Sequence, residues 1–79
     1  MEETYRNLFI LGRERLKEVG ISDNARESKK ILAFLTNNEY SNLNWINEFK
    51  ISKELSFKFN ALIEQRVSGE PVSRIIGKK

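Results

Sequence analysis

Apolar residues recur at helical spacing along most of this 79-residue chain, and the clearest series lies between Ser52 and Gly69. Its members fall on one side of an α-helix: Leu55, Phe59, Leu62, Ile63 and Val67. Ser52 can cap the start of this helix, and Gly69 followed by Pro71 can end it. The pattern therefore predicts an amphipathic helix from about Lys53 to Val67 with one buried face.

A second apolar series predicts a helix from about Glu3 to Glu18, ended by Gly20 in the left-handed conformation. Its buried side is expected to comprise Tyr5, Leu8, Phe9, Leu16 and Val19. Gly12 lies inside this helix, where glycine costs up to about 1 kcal/mol relative to alanine. We interpret Gly12 as the point where another helix crosses closely; the alternative is an exposed position without a packing role.

A third series predicts a helix that runs to about Thr36. Asp23 and Asn24 are both acceptable N-caps, and Glu27 lies where it can complete a capping box with Asn24. The expected buried residues are Ser28, Ile31, Leu32 and Leu35, with Arg26, Lys29, Lys30 and Ala33 around the rest of the helix. A short further helix, capped by Ser41 or Asn42, is predicted from the spacing of Leu43, Trp45, Ile46 and Phe49.

The segment after Pro71 has a different pattern, because Val72–Gly77 is rich in β-branched residues and bounded by proline and glycine. Such a stretch favours extended backbone over helix. It either packs back along the bundle or begins a following domain, and we favour the second. We therefore predict an all-α fold, a small bundle of about four helices followed by an extended linker segment. Residues 1–70 form the helical domain in this interpretation, and residues 71–79 begin a connection to a domain that this chain lacks.

The composition excludes several kinds of site. The chain has no cysteine and no histidine, which rules out a disulfide scaffold and removes the commonest metal ligand and general base. Its four glycines are isolated, so they do not form a phosphate-binding loop. We therefore expect no catalytic residue, no cofactor-binding residue and no metal site within this chain.

Charge and hydropathy bear on partners and location. The longest apolar runs, Leu8–Leu11 and Ile31–Leu35, are far shorter than the roughly 20 residues that cross a bilayer. We therefore expect a cytoplasmic protein without a membrane partner. The net charge of +3 arises from basic and acidic residues mixed along the chain, which is weak evidence for binding nucleic acid.

A few residues are candidates for contacts with a partner. Phe57 lies roughly opposite the buried face of its helix, so it either covers a neighbouring element or belongs to a contact surface. Basic residues gather near the end of the chain: Arg66, Arg74, Lys78 and Lys79. They are explained by a solvated tail or by attraction to an acidic partner, and Arg66 can pair with a carboxylate through two hydrogen bonds.

The segment 61–77 resembles a signature of the HemK/PrmC family, the bacterial peptide-chain release factor glutamine methyltransferases. In that family a helix ends in arginine, two variable residues and Gly-Glu-Pro, and a short Ile/Leu-Gly segment follows. Here those features are Arg66, Gly69-Glu70-Pro71 and Ile76-Gly77. Residues 51–54 match the start of the same helix and residues 26–32 resemble the second helix of the family, so the resemblance covers about residues 24–79.

The resemblance implies a function that composition and spacing do not show. Enzymes of this family transfer a methyl group from S-adenosylmethionine to the glutamine of the Gly-Gly-Gln motif in release factors. Their catalytic and cofactor motifs belong to a Rossmann-like C-terminal domain, which is absent from these residues. The chain would then be the domain that recognises the release factor, with Glu70 and Pro71 near the start of the linker to the catalytic domain.

Two other functions remain open from the sequence alone. One is a small basic helical module that binds tRNA or ribosomal RNA, although the interspersed glutamates argue against it. The other is a structural domain that covers an apolar face of the catalytic domain.

Overall fold

The computed structural model describes residues 3–36 and 50–77. In chain order the elements are β1 (Glu3–Thr4), α1 (Tyr5–Glu18), α2 (Asn24–Thr36), β2 (Lys50–Ile51), α3 (Lys53–Val67) and α4 (Val72–Ile76). The all-α prediction is confirmed. The two short strands form an antiparallel pair in which Glu3 lies opposite Ile51. The predicted helix around residues 43–49 lies outside the described residues.

Side-chain caps determine where α1 and α3 begin. The hydroxyl of Ser52 accepts the Leu55 backbone N–H at 3.1 Å, and α3 spans the predicted residues. The hydroxyl of Thr4 accepts the Asn7 N–H at 3.1 Å while Thr4 itself is extended. Helix α1 therefore begins at Tyr5 and not at the predicted Glu3, because the residues before it belong to β1.

The two predicted glycine stops are confirmed, and they have the same geometry. Gly20 has a φ of 87° and Gly69 a φ of 114°, which strain any residue with a side chain. Gly20 N–H donates to Lys17 O at 3.0 Å, and the next residue donates to Leu16 O at 3.1 Å. The same pair of bonds closes α3, so both helices end in a Schellman motif.

The core lies where α1, α2 and α3 meet. Leu8, Leu16, Ile31, Leu32, Phe59 and Ile63 are each at most 2% exposed. Gly12 is buried at the crossing, as predicted. A Cβ atom on Gly12 would lie 2.5 Å from Ser28 Oγ and 2.7 Å from Phe59 Cζ. Ser28 is buried as well, and its hydroxyl donates to the backbone carbonyl of Phe9 at 2.8 Å. The helices therefore approach closely because position 12 has no side chain.

The predicted burial is wrong for two residues, Val19 and Ala33. Val19 was expected to be buried but is 44% exposed, because it follows the last residue of α1 and no longer obeys the helical period. Ala33 was expected on the outer face of α2 but is 4% exposed. Helix α2 packs against α1, α3 and α4, so its buried face is wider than a stripe that meets one partner.

The prediction of an extended segment after Pro71 is wrong, since Val72–Ile76 forms the helix α4. The backbone N–H groups of Arg74 and Ile75 donate to the Pro71 carbonyl at 3.0 and 3.1 Å. Val72 and Ile75 are 9% and 2% exposed, and α4 packs on α2 and α3. Burial of these two side chains outweighs the weak preference of β-branched residues for strands. Whether a linker begins at residue 71 stays a prediction.

Candidate protein-interaction surface

The predicted contact residues do not form one cluster. Phe57 lies in the N-terminal half of α3 and is 75% exposed, which confirms its predicted position away from the core. Arg66 lies nine residues later on the same helix, which corresponds to roughly 14 Å along the axis. The other described candidates follow the end of α3. The structure therefore separates an aromatic position from a C-terminal group.

Arg66 is engaged within the fold. Its Nε donates to Glu27 Oε1 at 2.7 Å, and the two side chains are only 22% and 18% exposed. This half-buried ion pair joins the last turn of α3 to the first turn of α2. Glu27 thus contacts α3. The sequence suggested instead that Glu27 completes a capping box with Asn24. Arg66 thus pairs with a carboxylate of its own chain through one hydrogen bond, and its pairing with an acidic partner stays a prediction.

The remaining candidates surround the turn between α3 and α4. Glu70 is half-buried, and its backbone N–H donates to Gln65 O at 3.2 Å as part of the Schellman motif. Pro71 and Arg74 are exposed. Lys78 and Lys79 lie outside the described residues. Glu70 and Pro71 therefore shape the turn, and Arg74 presents its charge to solvent.

A second ion pair between helices was missed by the sequence analysis. Arg15 on α1 donates to both carboxylate oxygens of Glu64 on α3, from Nε at 2.8 Å and from a terminal nitrogen at 3.1 Å. The hydrogen bond from Arg15 lowers the pKa of Glu64 below its ordinary value, and the same bond raises the pKa of Arg15. The residues are 49 positions apart, so no local pattern signals their contact.

The acidic residues and the glycines of the described part of the chain bear on metal and cofactor binding. Within residues 3–36 and 50–77, no three histidine, cysteine, aspartate or glutamate residues group together as a metal site would require. Gly12 is buried at a helix crossing, while Gly20 and Gly69 end helices. These positions do not form a cradle for a phosphate group. No helix in the described part of the chain is long and apolar enough to span a bilayer.

Within residues 3–36 and 50–77, part of the basic charge is held by glutamates of the same chain. Three arginines are paired with glutamates: Arg13 with Glu14, Arg15 with Glu18 and Glu64, and Arg66 with Glu27. A guanidinium held by a carboxylate has less attraction for a phosphate backbone. The pairing of these three arginines therefore weakens the case for the RNA-binding alternative.

Comparison with known proteins found one family model and one curated relative. The family model described as the PrmC N-terminal domain matches residues 7–77. A curated relative, the release factor glutamine methyltransferase of Agrobacterium fabrum, is 30% identical over 71 residues. Those residues are 90% of this chain and 25% of the relative, so the chain spans about a quarter of its length. No solved structure matches the chain. The chain belongs to the PrmC N-terminal domain family.

Proposed function

We propose that this chain is the release-factor-binding domain of an S-adenosylmethionine-dependent protein-glutamine methyltransferase. The parent enzyme would methylate the side-chain amide of the glutamine in the Gly-Gly-Gln motif of release factors. The match to the PrmC N-terminal domain over residues 7–77 carries this proposal. The name of the Agrobacterium fabrum relative supports the activity and the substrate.

The division of labour has a physical rationale. Methylating one glutamine on a large protein requires the substrate to be held in one orientation. A second contact by a linked domain raises the effective concentration of that glutamine at the active site. Such a domain needs an exposed surface and a rigid core but no reactive group. The buried junction of α1, α2 and α3 supplies the rigidity.

The cofactor would be bound elsewhere in the parent enzyme. S-adenosylmethionine supplies the methyl group, and its binding requires a loop that the glycines of the described residues do not provide. In this proposal the parent enzyme is active, while this chain by itself transfers no methyl group. Because release factors act on cytoplasmic ribosomes, the proposal also implies a cytoplasmic location.

The connection to the catalytic domain belongs to the same proposal. Residues 1–70 would form the binding domain, and the chain from residue 71 onward would lead to the catalytic domain. Because Val72 and Ile75 are buried against the bundle, this segment would leave the domain in a fixed direction. A deletion that removes the domain should therefore extend through residue 77, since ending it at residue 70 exposes two apolar side chains.

An amide-correlation NMR titration of the labelled chain with a purified release factor tests the proposal. We expect local, saturable shifts at low and at moderate salt, with a parallel titration against tRNA producing none. Absence of shifts at high micromolar release factor contradicts the proposal and favours a domain that only covers the catalytic domain. Shifts with tRNA that vanish steeply with salt would favour the RNA-binding alternative.

A further inference from the structure

The N-terminal half of α3 carries the most exposed large apolar side chain of the described residues. Phe57 is 75% exposed, against 50% for Leu11, 46% for Phe34 and 44% for Val19. A phenylalanine that is mostly in water contributes little to the hydrophobic free energy of folding. Aromatic residues in such positions are enriched where proteins contact other proteins. The stability of the fold therefore does not explain a phenylalanine at this position.

Unpaired positive charges flank Phe57. Lys53 lies one helical turn before it and Lys58 follows it directly, and both are exposed. In the part of the chain that the structure describes, neither lysine forms an ion pair, in contrast to Arg66 and its partner Glu27. Glu54 is the acidic neighbour, and it occupies the first turn of α3, where a carboxylate stabilises the helix. This half of α3 thus keeps two cations free for a partner.

A shallow depression lies beside Lys58 at the start of α3. It has a volume of about 160 Å³ and is lined by Ser52, Glu54, Leu55 and Lys58. Pockets for cofactors and other small molecules typically measure about 300–1,000 Å³. The depression is too small for such a ligand, but it accommodates one side chain of a protein partner.

We infer that Phe57, Lys53, Lys58 and the adjoining depression form the surface that contacts the release factor. The occupant is a patch of the release factor with an apolar side chain beside carboxylates. Phe57 packs on the apolar part, and the two lysines face the carboxylates. This inference rests on the proposed function and assigns it a location. A buried aromatic side chain contributes most to the affinity of such a contact, and rim charges act mainly on the association rate.

Binding measurements with matched variants test the aromatic contact. We expect Phe57→Ala to weaken the Kd for a purified release factor at least tenfold. The control is Phe34→Ala, which removes the same side chain from an exposed position of α2 and should change the Kd less than twofold. Thermal unfolding of Phe57→Ala should match that of the unmodified chain, which shows that lost binding does not reflect lost folding.

A second pair of variants tests the charges. Lys53→Glu combined with Lys58→Glu should slow association about tenfold at low salt and reduce its dependence on salt. Lys17→Glu on α1 alters an exposed lysine away from this surface and should have a small effect. If the unmodified chain binds but Phe57→Ala binds equally well, the assignment of the surface is wrong and the proposed function stands. If the unmodified chain does not bind the release factor, the assignment of the surface and the proposed function are both wrong.

Discussion

The helix crossing at Gly12 and the short helix α4 are packed by opposite means. At the crossing, close approach depends on the absence of a side chain, since Ser28 and Phe59 occupy the space where a Cβ atom would lie. Helix α4 depends on the presence of side chains, because Val72 and Ile75 are what bury it against α2 and α3. Adding a side chain at Gly12 should therefore destabilise the fold, and truncating a buried side chain of α4 should destabilise it as well.

The largest effect is expected for Gly12→Val. The Cβ atom alone would lie 2.5 Å from Ser28 Oγ and 3.0 Å from Ile63 Cδ1, so the helices must move apart. We expect a loss of about 3 kcal/mol in the free energy of unfolding, measured by urea denaturation. Ala61→Val is the control because Ala61 is exposed on α3, and its cost should stay below about 0.5 kcal/mol. Equal costs for the two substitutions would contradict the close crossing.

A smaller but clear effect is expected for Ile75→Ala. The side chain is 2% exposed, so its truncation should cost about 2 kcal/mol. Arg74→Ala changes the exposed neighbour and should be nearly neutral. Hydrogen exchange adds a second readout, since the amides of Ile75 and Gly77 should be protected when α4 is docked. Rapid exchange of both amides with little cost for Ile75→Ala would restore the extended segment that the sequence suggested.

The ion pair between Glu27 and Arg66 should contribute less to stability than the packing at Gly12 or at Ile75. Glu27→Gln removes the charge that faces Arg66 across a 2.7 Å bond, and both side chains are shielded from solvent. We expect a cost of about 1 kcal/mol in the free energy of unfolding. Glu14→Gln breaks the exposed pair with Arg13 and should cost less than about 0.5 kcal/mol. A larger cost for Glu14→Gln than for Glu27→Gln would show that burial does not strengthen the Glu27–Arg66 pair.

The smallest effect is a pH dependence at the outer pair of α1 and α3. Because Arg15 lowers the pKa of Glu64 in the folded chain, the pair stabilises the fold above the ordinary glutamate pKa. That contribution is lost as the pH falls through the lowered pKa. We expect the Tm difference between the unmodified chain and Glu64→Gln to shrink from pH 7 to pH 3. When both chains also carry Arg15→Met, the Tm difference caused by Glu64→Gln should no longer depend on pH.

Local patterns predicted the long helices because their signals lie close together in the chain. Ser52 and Gly69 mark both ends of α3, and a single period places Phe59 and Ile63 in the core. The same reasoning placed Phe57 opposite the buried face of α3 and Gly12 at a crossing. It failed at Val19 and Ala33, where a helix end and an extra packing partner changed which residues are buried.

The candidate surface was only partly accessible to sequence reasoning. Helical spacing identified Phe57, because exposure follows from the period of α3. Helical spacing could not show that Arg66 forms an ion pair with Glu27, which is 39 positions away. The depression beside Lys58 was missed for a related reason, because its shape depends on how neighbouring side chains are placed in space.

The sequence by itself determined the helical class, the Ser52 cap of α3, the glycine stops of α1 and α3 and the absence of cysteine and histidine chemistry. These depend on residue type and on spacing within a few turns, so the physics that sets them is local. Only the tertiary structure decided that residues 72–76 form a helix and that Glu27 and Glu64 are bound to arginines of other helices. A short β-branched segment has no strong local preference, so the free energy of burying Val72 and Ile75 selects its conformation.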